Sequence, residues 1–281
     1  MNISMMTYTM ARGLKRSEEF DVKALCEFTR ELSLDSIDWV TTYGYNPREI
    51  RQITDDYGLK NICFTFQCAL NFPTPAERAP GRDQFKQGVE TALILGADKI
   101  MLPVKGKPEL SRQQSFHNVV SGLQEVIGFA ENLGVLVTVE HFPLPTSPFI
   151  TSADVNRAIK EIPALRITYD NGNVTTGGET AAEGFRRSAE YIVHAHFKDF
   201  ALCSEDAPGA RPYLDGKYRR AVLVGDGDVD QIGALRAMKE WGYAGYINFE
   251  YEGSEYTPRE ATIKGVHRMR EMMASLDSFD S

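Results

Sequence analysis

Four residues that could bind a metal ion follow strand-like runs of this chain. They are Glu140 in VLVTVEHF, Asp170 in LRITYDNGN, His196 in IVHAHFKDF and Glu250 in YINFEYEG. The separations are 30 residues from 140 to 170, 26 from 170 to 196 and 54 from 196 to 250, which fit one, one and two strand–helix repeats. Side chains at the carboxyl ends of successive parallel strands converge on one face of a barrel. Three carboxylates and one imidazole suit a divalent cation.

Each of these residues taken alone has an ordinary explanation. Glu140 follows apolar β-forming residues, where a salt bridge to a neighbouring strand would stabilise it. Asp170 lies in YDNGN, a strong turn sequence, and an isolated His196 could be a hydrogen-bonded core histidine. However, His194 lies two residues before His196 and therefore on the same side of its strand. Because four residues that can bind a metal occur in barrel order, one shared metal site explains them better than four unrelated structural roles.

The elements that must position these residues alternate between strands and helices. Strands are predicted at Ile3–Thr9, Ser36–Val40, Asn61–Gln67, Lys99–Val104, Leu136–Phe142, Arg166–Asp170, Ile192–Phe197 and Tyr246–Tyr251. Apolar residues at helical spacing predict helices at 21–32, 47–57, 82–95, 112–133, 152–161, 179–190, 230–241 and 258–274. This order predicts an α/β fold, a single (β/α)8 TIM barrel that forms one domain over residues 1–281. A doubly wound sheet is the alternative, but no Gly-rich turn follows the first strand.

Turn residues support these boundaries. Gly58, Gly96 and Gly134 each follow a predicted helix, as C-terminal caps do, and Ser152 and Pro258 are start signals. The longest interruption is the extended loop 200–228 after the seventh strand, rich in Gly, Pro and charge. On a barrel this loop lies at the carboxyl-terminal face. A lid or substrate contact there is as reasonable as a decorated surface loop or an oligomer contact.

Composition excludes several classes of protein. The net charge is −8 and the sequence pI is near 5.3, so clustered cations for a nucleic-acid partner are absent. No apolar run approaches the roughly 20 residues that span a membrane, and the first residues do not resemble a secretory leader. We expect a cytoplasmic protein. Its four cysteines form no CxxC pair and are expected to be reduced thiols.

The segments VEHF, YDNGN, HAHFKD, VGDGDVD and FEYEG resemble the xylose isomerase-like TIM-barrel superfamily of sugar isomerases and epimerases. The resemblance covers essentially the whole chain and is specific for the superfamily rather than for one reaction. It implies that Glu140, Asp170, His196 and Glu250 bind one divalent cation, which in that group is typically Mn, Mg, Co or Zn. It also implies a small sugar or polyol-derived substrate and, by analogy, allows a homodimer.

The implied reaction is isomerisation or epimerisation of a ketose, an aldose or a polyol-derived sugar. Such enzymes remove a proton next to a carbonyl, and a metal stabilises the enediolate that develops. Glu140 and Glu250 are predicted to exchange this proton from opposite sides, as both ligands and bases. Asp170 and His196 are predicted to be ligands only.

Four further residues are predicted to contact the substrate: Lys105, His141, Asn173 and Lys198. Lys105 and His141 are polar residues at strand ends, and Asn173 replaces a histidine that ketose 3-epimerases carry three residues after the Asp ligand. Lys198, Asp199 or His194 could orient the ligands. Leu202 stands where those epimerases carry an arginine, so the chain departs from a free-ketose 3-epimerase in detail.

Two other functions are compatible with the sequence. A lyase or dehydratase of the same superfamily, acting on an inosose, a dehydroshikimate or a keto-glycoside, would begin with the same proton abstraction and then expel a β-leaving group. A non-catalytic sugar-binding barrel is the third alternative, although all four ligand positions carry competent residues. The endonuclease branch needs many histidines, and this chain has only five.

Overall fold

Eight parallel strands form a closed barrel. The computed structural model describes residues 1–12, 14 and 19–278. The barrel strands are β1 Asn2–Met6, β2 Ser36–Val40, β3 Lys60–Thr65, β4 Lys99–Leu102, β5 Leu136–Glu140, β6 Arg166–Asp170, β7 Ile192–Phe197 and β11 Tyr246–Phe249. Each pairs in parallel with its neighbours in chain order, and β11 closes the barrel against β1. The predicted (β/α)8 barrel is confirmed.

Helices alternate with these strands. The α-helices in the described residues are α1 Thr7–Ala11, α2 Val22–Glu31, α3 Pro47–Asp56, α4 Ala79–Leu95, α5 Arg112–Asn132, α6 Ser152–Glu161, α7 Ala181–Ser188, α8 Gln231–Trp241 and α9 Pro258–Ser278. Short 3₁₀ helices span Asn173–Gly177 and Ala189–Tyr191. The apolar faces of these helices pack on the barrel, and one continuous hydrophobic core results. No helix within these described ranges is long and apolar enough to cross a lipid bilayer.

The glycines predicted as helix caps have the expected backbone. Gly58, Gly96 and Gly134 have φ values of +63°, +78° and +71°, the left-handed region that glycine enters at little cost. Helix α6 begins at Ser152, but the side chain that caps it belongs to Thr151, which accepts a hydrogen bond from the backbone N–H of Asp154.

The prediction that the first strand continues to Thr9 is wrong. The chain turns into the short helix α1 at Thr7. Two hydroxyl groups explain the change, because they bind backbone at the ends of other strands. Thr7 Oγ1 accepts from the N–H of Val40 at 2.8 Å, and Thr9 Oγ1 accepts from the N–H of Tyr251 at 3.0 Å. Helix α1, which follows β1, is therefore hydrogen-bonded to the carboxyl-terminal ends of β2 and β11.

Residues 200–228 are more regular than the predicted extended loop. They contribute to a small antiparallel sheet of β8 Asp199–Cys203, β10 Tyr218–Val222 and β9 Arg211–Pro212, in that spatial order. We call residues 199–222 the insertion. A two-residue strand such as β9 leaves no periodic pattern in a sequence, which is why the loop prediction missed it.

Asp199 anchors the turn that follows the insertion. Its carboxylate accepts backbone hydrogen bonds from Phe200 (2.9 Å), Gly225 (2.8 Å), Gly227 (3.1 Å) and Val229 (3.2 Å). Burial raises the pKa of this carboxyl, although the four N–H donors oppose the shift. The proposal that Asp199 orients a metal ligand is therefore replaced by a structural role.

We expect Asp199→Ala to destabilise the protein by roughly 3 kcal/mol, because several buried N–H groups lose their acceptor. Thermal or urea unfolding measures the change. Asp206→Ala is the matched control, since this exposed aspartate of the same insertion is expected to leave stability essentially unchanged. Equal effects of the two substitutions would contradict the anchoring role.

Candidate active site

The strand register places four polar side chains at one level of the barrel. Ser4 of β1 pairs with Asn248 of β11, Asn248 pairs with His196 of β7, and His196 pairs with Asp170 of β6. Residues that pair in parallel strands point to the same face. All four are fully buried, so the barrel interior here is polar and ordered.

His196 lies between two carboxylates. Its Nδ1 is 3.5 Å from Glu140 Oε2 and 3.5 Å from Glu250 Oε2. Glu140 is the last residue of β5, and Glu250 follows the last residue of β11. Neither ring nitrogen of His196 has a hydrogen bond of good geometry among the described residues. An imidazole nitrogen facing two carboxylates without a proper hydrogen bond is the arrangement expected of a metal ligand.

The two carboxylate oxygens of Asp170 have different surroundings: Oδ1 contacts the backbone, and Oδ2 faces the site. Its Oδ1 accepts from the N–H groups of Gly172 (3.0 Å) and Asn173 (2.7 Å), so the predicted turn is present as well. Within the described structure, Oδ2 has no hydrogen bond, and one ligand atom each of Asp170, Glu140 and His196 lie within 4.8 Å of one another. Burial raises the pKa of Asp170 to about 6, although Lys198 opposes the shift.

Lys198 is the buried cation of the site. Its Nζ lies 2.7 Å from Glu250 Oε1, 3.3 Å from Asp170 Oδ2 and 3.5 Å from Glu252 Oε2. Burial disfavours the ammonium, but these carboxylates outweigh it and raise the pKa of Lys198 well above its usual value. Lys198 therefore stays charged and fixes one oxygen of Glu250.

The charges of the site do not balance. Four buried carboxylates, those of Asp38, Glu140, Asp170 and Glu250, face the buried Lys198 and the imidazole of His196, which leaves two negative charges even when His196 is protonated. Uncompensated buried carboxylates are strongly unfavourable. Burial raises the pKa of Glu250 to about 8, with Glu252 and Asp170 adding to the shift and Lys198 opposing it. The donor set and its charge both fit a divalent cation.

Asp38 is a site residue that the sequence reasoning missed. It lies in the apolar run SIDWV of β2 and is fully buried. Its Oδ2 is 2.7 Å from His194 Nε2 and 3.6 Å from His196 Nε2, and it accepts a hydrogen bond from Asn248. Ser4 in turn donates to the side-chain oxygen of Asn248. An aspartate in such an apolar strand was the available signal, because it needs a buried partner.

The network of Ser4, Asn248, Asp38 and His194 contacts His196 on its Nε2 side. Although burial raises it, contacts with the two histidines hold the pKa of Asp38 well below its usual range, so Asp38 is a carboxylate. Although burial lowers it, Asp38, Glu140 and Glu250 raise the pKa of His196 well above its usual value. The imidazole is therefore held between Asp38 on its Nε2 side and Glu140 and Glu250 on its Nδ1 side. His194, predicted as a possible orienting residue, acts on His196 through Asp38.

Above these residues lies a cavity of about 190 Å³, which we call the inner cavity. It is lined by Met6, Tyr8, Val40, Thr65, Gln67, Met101, Pro103, Lys105, Glu140, Phe142, Pro143, Asn173, His196, Lys198, Glu250 and Glu252. Of the predicted substrate contacts, Lys105, Asn173 and Lys198 line it. Sequence reasoning missed Tyr8 and gave no role to Glu252. Tyr8 donates a hydrogen bond of 2.9 Å to Glu252 Oε1.

His141 lies elsewhere. Its ring is fully buried and packs edge-on against Tyr169, with ring centroids 6.1 Å apart. It does not line the inner cavity, because successive residues of an extended chain point to opposite sides and Glu140 points inward. Burial lowers the pKa of His141 to about 4, so this histidine is neutral. The structure gives it a place in the packing between strand and helix.

Comparison with known proteins identifies the family of this chain. A family model described as the xylose isomerase-like TIM barrel matches residues 25–272, and the chain belongs to this family. An uncharacterised protein of Methanocaldococcus jannaschii is 25% identical over 222 residues, 74% of this chain and 71% of that protein. An inosose dehydratase of Lacticaseibacillus casei is 26% identical over 151 residues, 52% of this chain and 50% of the dehydratase. The match thus spans about half of that enzyme's length.

Solved structures share the fold over the full length. L-Ribulose 3-epimerase superposes with a TM-score of 0.79 at 14% identity, covering 100% of this chain and 97% of the epimerase. The 3-keto-D-glucoside 4-epimerase of E. coli superposes with a TM-score of 0.75 at 17% identity, covering 96% and 99%. At these identities the likeness shows the fold alone.

Asp38→Asn should weaken Mn²⁺ binding by roughly 10–100-fold, because the partner that orients His196 loses its charge. Calorimetric titration of the metal-stripped protein measures the affinity. His196→Ala should weaken binding further. Asp35→Asn is the control: this half-buried residue lies three positions earlier, contacts Lys60 and Tyr246 outside the site, and should bind as the unchanged chain does. An unaltered affinity of Asp38→Asn, with an altered unfolding temperature, would reduce Asp38 to a purely structural residue.

Proposed function

We propose that this chain is a divalent-metal-dependent enzyme that isomerises or epimerises a keto-sugar or a polyol-derived ketone. Glu140, Asp170, His196 and Glu250 would hold the ion, of the Mn, Mg, Co or Zn type. When bound, the cation supplies Lewis-acid polarisation of a carbonyl. Support comes from the excess of buried carboxylates and from Asp170 Oδ2, which accepts no hydrogen bond and is 3.3 Å from Lys198 Nζ.

One observation carries the reaction class: two carboxylates flank the same imidazole nitrogen and line the same cavity. Glu140 reaches His196 from β5 and Glu250 reaches it from β11. A substrate above His196 therefore has a carboxylate from each of two separated strands. One can accept a proton from the carbon next to the carbonyl, and the other can return a proton to the opposite face.

The surrounding side chains divide the remaining work. Lys198 donates to Glu250 and keeps it oriented, and its charge is 3.3 Å from Asp170. Lys105 and Asn173 line the cavity wall and offer donors for substrate hydroxyl groups. Apolar residues of β1 and β4, including Met6 and Met101, complete the wall and restrict water.

A dehydratase is the second candidate. The L. casei relative is an inosose dehydratase, and several 3-epimerases and a probable 3-DHS dehydratase share the fold. Dehydration would begin with the same proton removal by Glu140 or Glu250. Lys198, a buried ammonium beside Glu250, could then donate to a departing hydroxyl group.

Glu140→Gln and Glu250→Gln should each lower turnover by at least roughly 10²-fold while the fold is retained, because each removes a proton acceptor. Turnover of a keto-sugar panel with Mn²⁺ present is the measurement, with circular dichroism to check the fold. Glu49→Gln, on the exposed start of helix α3, is the control. Near-native turnover by either variant would exclude a two-carboxylate proton exchange.

Deuterium oxide separates the two candidate reactions. We expect the metal-loaded protein to incorporate deuterium next to the carbonyl of its substrate without loss of water, as an isomerase or epimerase does. Mass spectrometry and proton NMR follow the exchange over the panel of ketoses and inososes. An unsaturated product 18 mass units lighter would instead identify a dehydratase. The absence of both, together with absence of metal binding, would favour a binding protein.

A further inference from the structure

The inner cavity has two unlike halves. The half around β5, β7 and the end of β11 carries Glu140, His196 and Glu250. In the closed barrel, β3 is four strands from β7 in either direction, so β3 lies across the cavity from His196. The lining residues that belong to strands β1, β2, β3 and β4, which we call the far wall, are Met6, Val40, Thr65 and Met101. The far wall is therefore apolar except at Thr65.

The side chain of Thr65 points into the barrel. Thr65 pairs with Val40 on one side and with Met101 on the other, and residues that pair in parallel strands point to the same face. The next residue, Phe66, points outward, since its ring packs edge-on against Phe85 of helix α4 with ring centroids 6.4 Å apart. Alternation along the strand therefore agrees with the position of Thr65 in the cavity lining.

The hydroxyl group of Thr65 lacks a good partner in the protein. The residue is buried, and its Oγ1 has no hydrogen bond of good geometry among the described residues. Burial raises the pKa of the neighbouring Cys63 thiol well above its usual value, and contact with the Thr65 hydroxyl opposes that shift. A thiol is a weak hydrogen-bonding group, so the hydroxyl keeps its capacity for a stronger partner. Buried polar groups normally have such a partner, and a ligand in the cavity can supply it.

The other residues of the far wall disfavour hydroxyl groups. Met6, Val40 and Met101 offer no strong donor or acceptor. A substrate hydroxyl placed against one of these side chains would lose its water without gaining a partner. Gln67 and Lys105 also line the cavity, but both lie in loops beyond the strands and are exposed. Hydrocarbon is therefore the group that the far wall binds best, with one exception at Thr65.

We propose that Thr65 is a specificity-determining residue and that the substrate is a partly deoxygenated ketone. Thr65 binds one oxygen on the substrate edge that faces away from His196, and the positions beside that oxygen carry no hydroxyl group. A site built to hydrogen-bond a substrate hydroxyl discriminates strongly against an analogue that lacks it. Thr65 therefore selects for one oxygen, while the apolar part of the far wall selects against its neighbours.

This inference rests on the proposed function, because the carbonyl must face Glu140, His196 and Glu250 for the opposite edge to face Thr65. The contact with Thr65 breaks and forms no covalent bond, and it lies across the cavity from the reacting carbon. It therefore stabilises the bound substrate and the transition state alike. Removing such an interaction raises KM and leaves kcat unchanged.

The first test compares ketohexoses with their monodeoxy derivatives, each of which lacks a single hydroxyl group. Deuterium exchange by the Mn²⁺-loaded chain gives KM and kcat, and calorimetry gives affinity independently of turnover. We expect one derivative to bind roughly tenfold more tightly than its parent, because it no longer places a hydroxyl against the far wall. Another should bind roughly tenfold more weakly, because it lacks the oxygen that Thr65 holds. Tightest binding by the fully hydroxylated parents would overturn the proposal.

Thr65→Val removes the hydroxyl and keeps the branched shape. It should raise KM for the preferred derivative roughly tenfold with kcat unchanged. For the derivative that lacks the oxygen held by Thr65, KM should not change, since both partners of one contact are then absent. Additive losses would contradict a direct contact. Ser36→Ala is the matched control: Ser36 of β2 is also a buried hydroxyl without a hydrogen bond among the described residues, but it does not line the inner cavity. We expect its KM values to equal those of the unchanged chain.

Thermal unfolding separates binding from a structural role. Since the hydroxyl of Thr65 has no good partner in the protein, Thr65→Val should not lower the unfolding temperature. A lower unfolding temperature with unchanged KM would make Thr65 a structural residue and overturn the proposal.

Val40→Thr adds a second hydroxyl to the far wall, beside Thr65. It should improve binding of the fully hydroxylated ketohexose several-fold relative to the preferred derivative, because a hydroxyl on that edge then finds a partner. An unchanged ratio of the two affinities would contradict selection by the far wall.

The failure of this inference differs from the failure of the proposed function. If no ketone exchanges deuterium, the proposed reaction is wrong, and calorimetry with Thr65→Val still decides whether Thr65 binds the ketone. If exchange occurs but the parents are preferred and Thr65→Val behaves as the unchanged chain does, the reaction stands and the role of Thr65 falls.

Discussion

The structure depends on a concentration of negative charge that the barrel buries without enough positive charge to balance it. Asp38, Glu140, Asp170 and Glu250 lie inside the upper barrel, with Lys198 as the buried lysine beside them. Burying such groups opposes folding, because charges lose their hydration. This set of carboxylate and imidazole donors fits a divalent cation, as proposed above. The raised pKa values of Asp170 and Glu250 have the same cause: the carboxylates are desolvated and lie close to one another.

The register of the barrel strands then determines which atoms face these buried carboxylates. The pairings of Ser4 with Asn248, of Asn248 with His196 and of His196 with Asp170 set one level across four strands. Below this level Asp38 lies against His194 and His196, and above it Glu140 and Glu250 converge. The imidazole of His196 is thus held between Asp38 on one side and Glu140 and Glu250 on the other. Slippage of a strand by one residue would turn its polar side chain out of the barrel.

Much of this arrangement could be predicted because it is periodic. Strand ends are recognisable in sequence, and topology brings them to one face, so the predicted ligands meet around His196. The direction of a single side chain at a strand end is less accessible. His141 was expected in the site, yet alternation sends it into the packing beside Tyr169. Asp38 was missed since its partners lie 156 and 210 residues away along the chain. Such long-range pairings leave no local signature.

The insertion shows a different limit. Its strands are short, and its position depends on Arg219, Asp215 and the turn after Asp170 rather than on hydrophobic periodicity. The barrel positions Glu140, Asp170, His196 and Glu250 at its strand ends, whereas the insertion is a loop outside the barrel that can vary without disturbing those strands. Glu252 lies where the barrel and the insertion meet: Tyr8 and Lys198 contact it from the inner cavity, and it also lines a second cavity bounded by the insertion. A single carboxylate therefore links the buried charges of the barrel to the least predictable part of the chain.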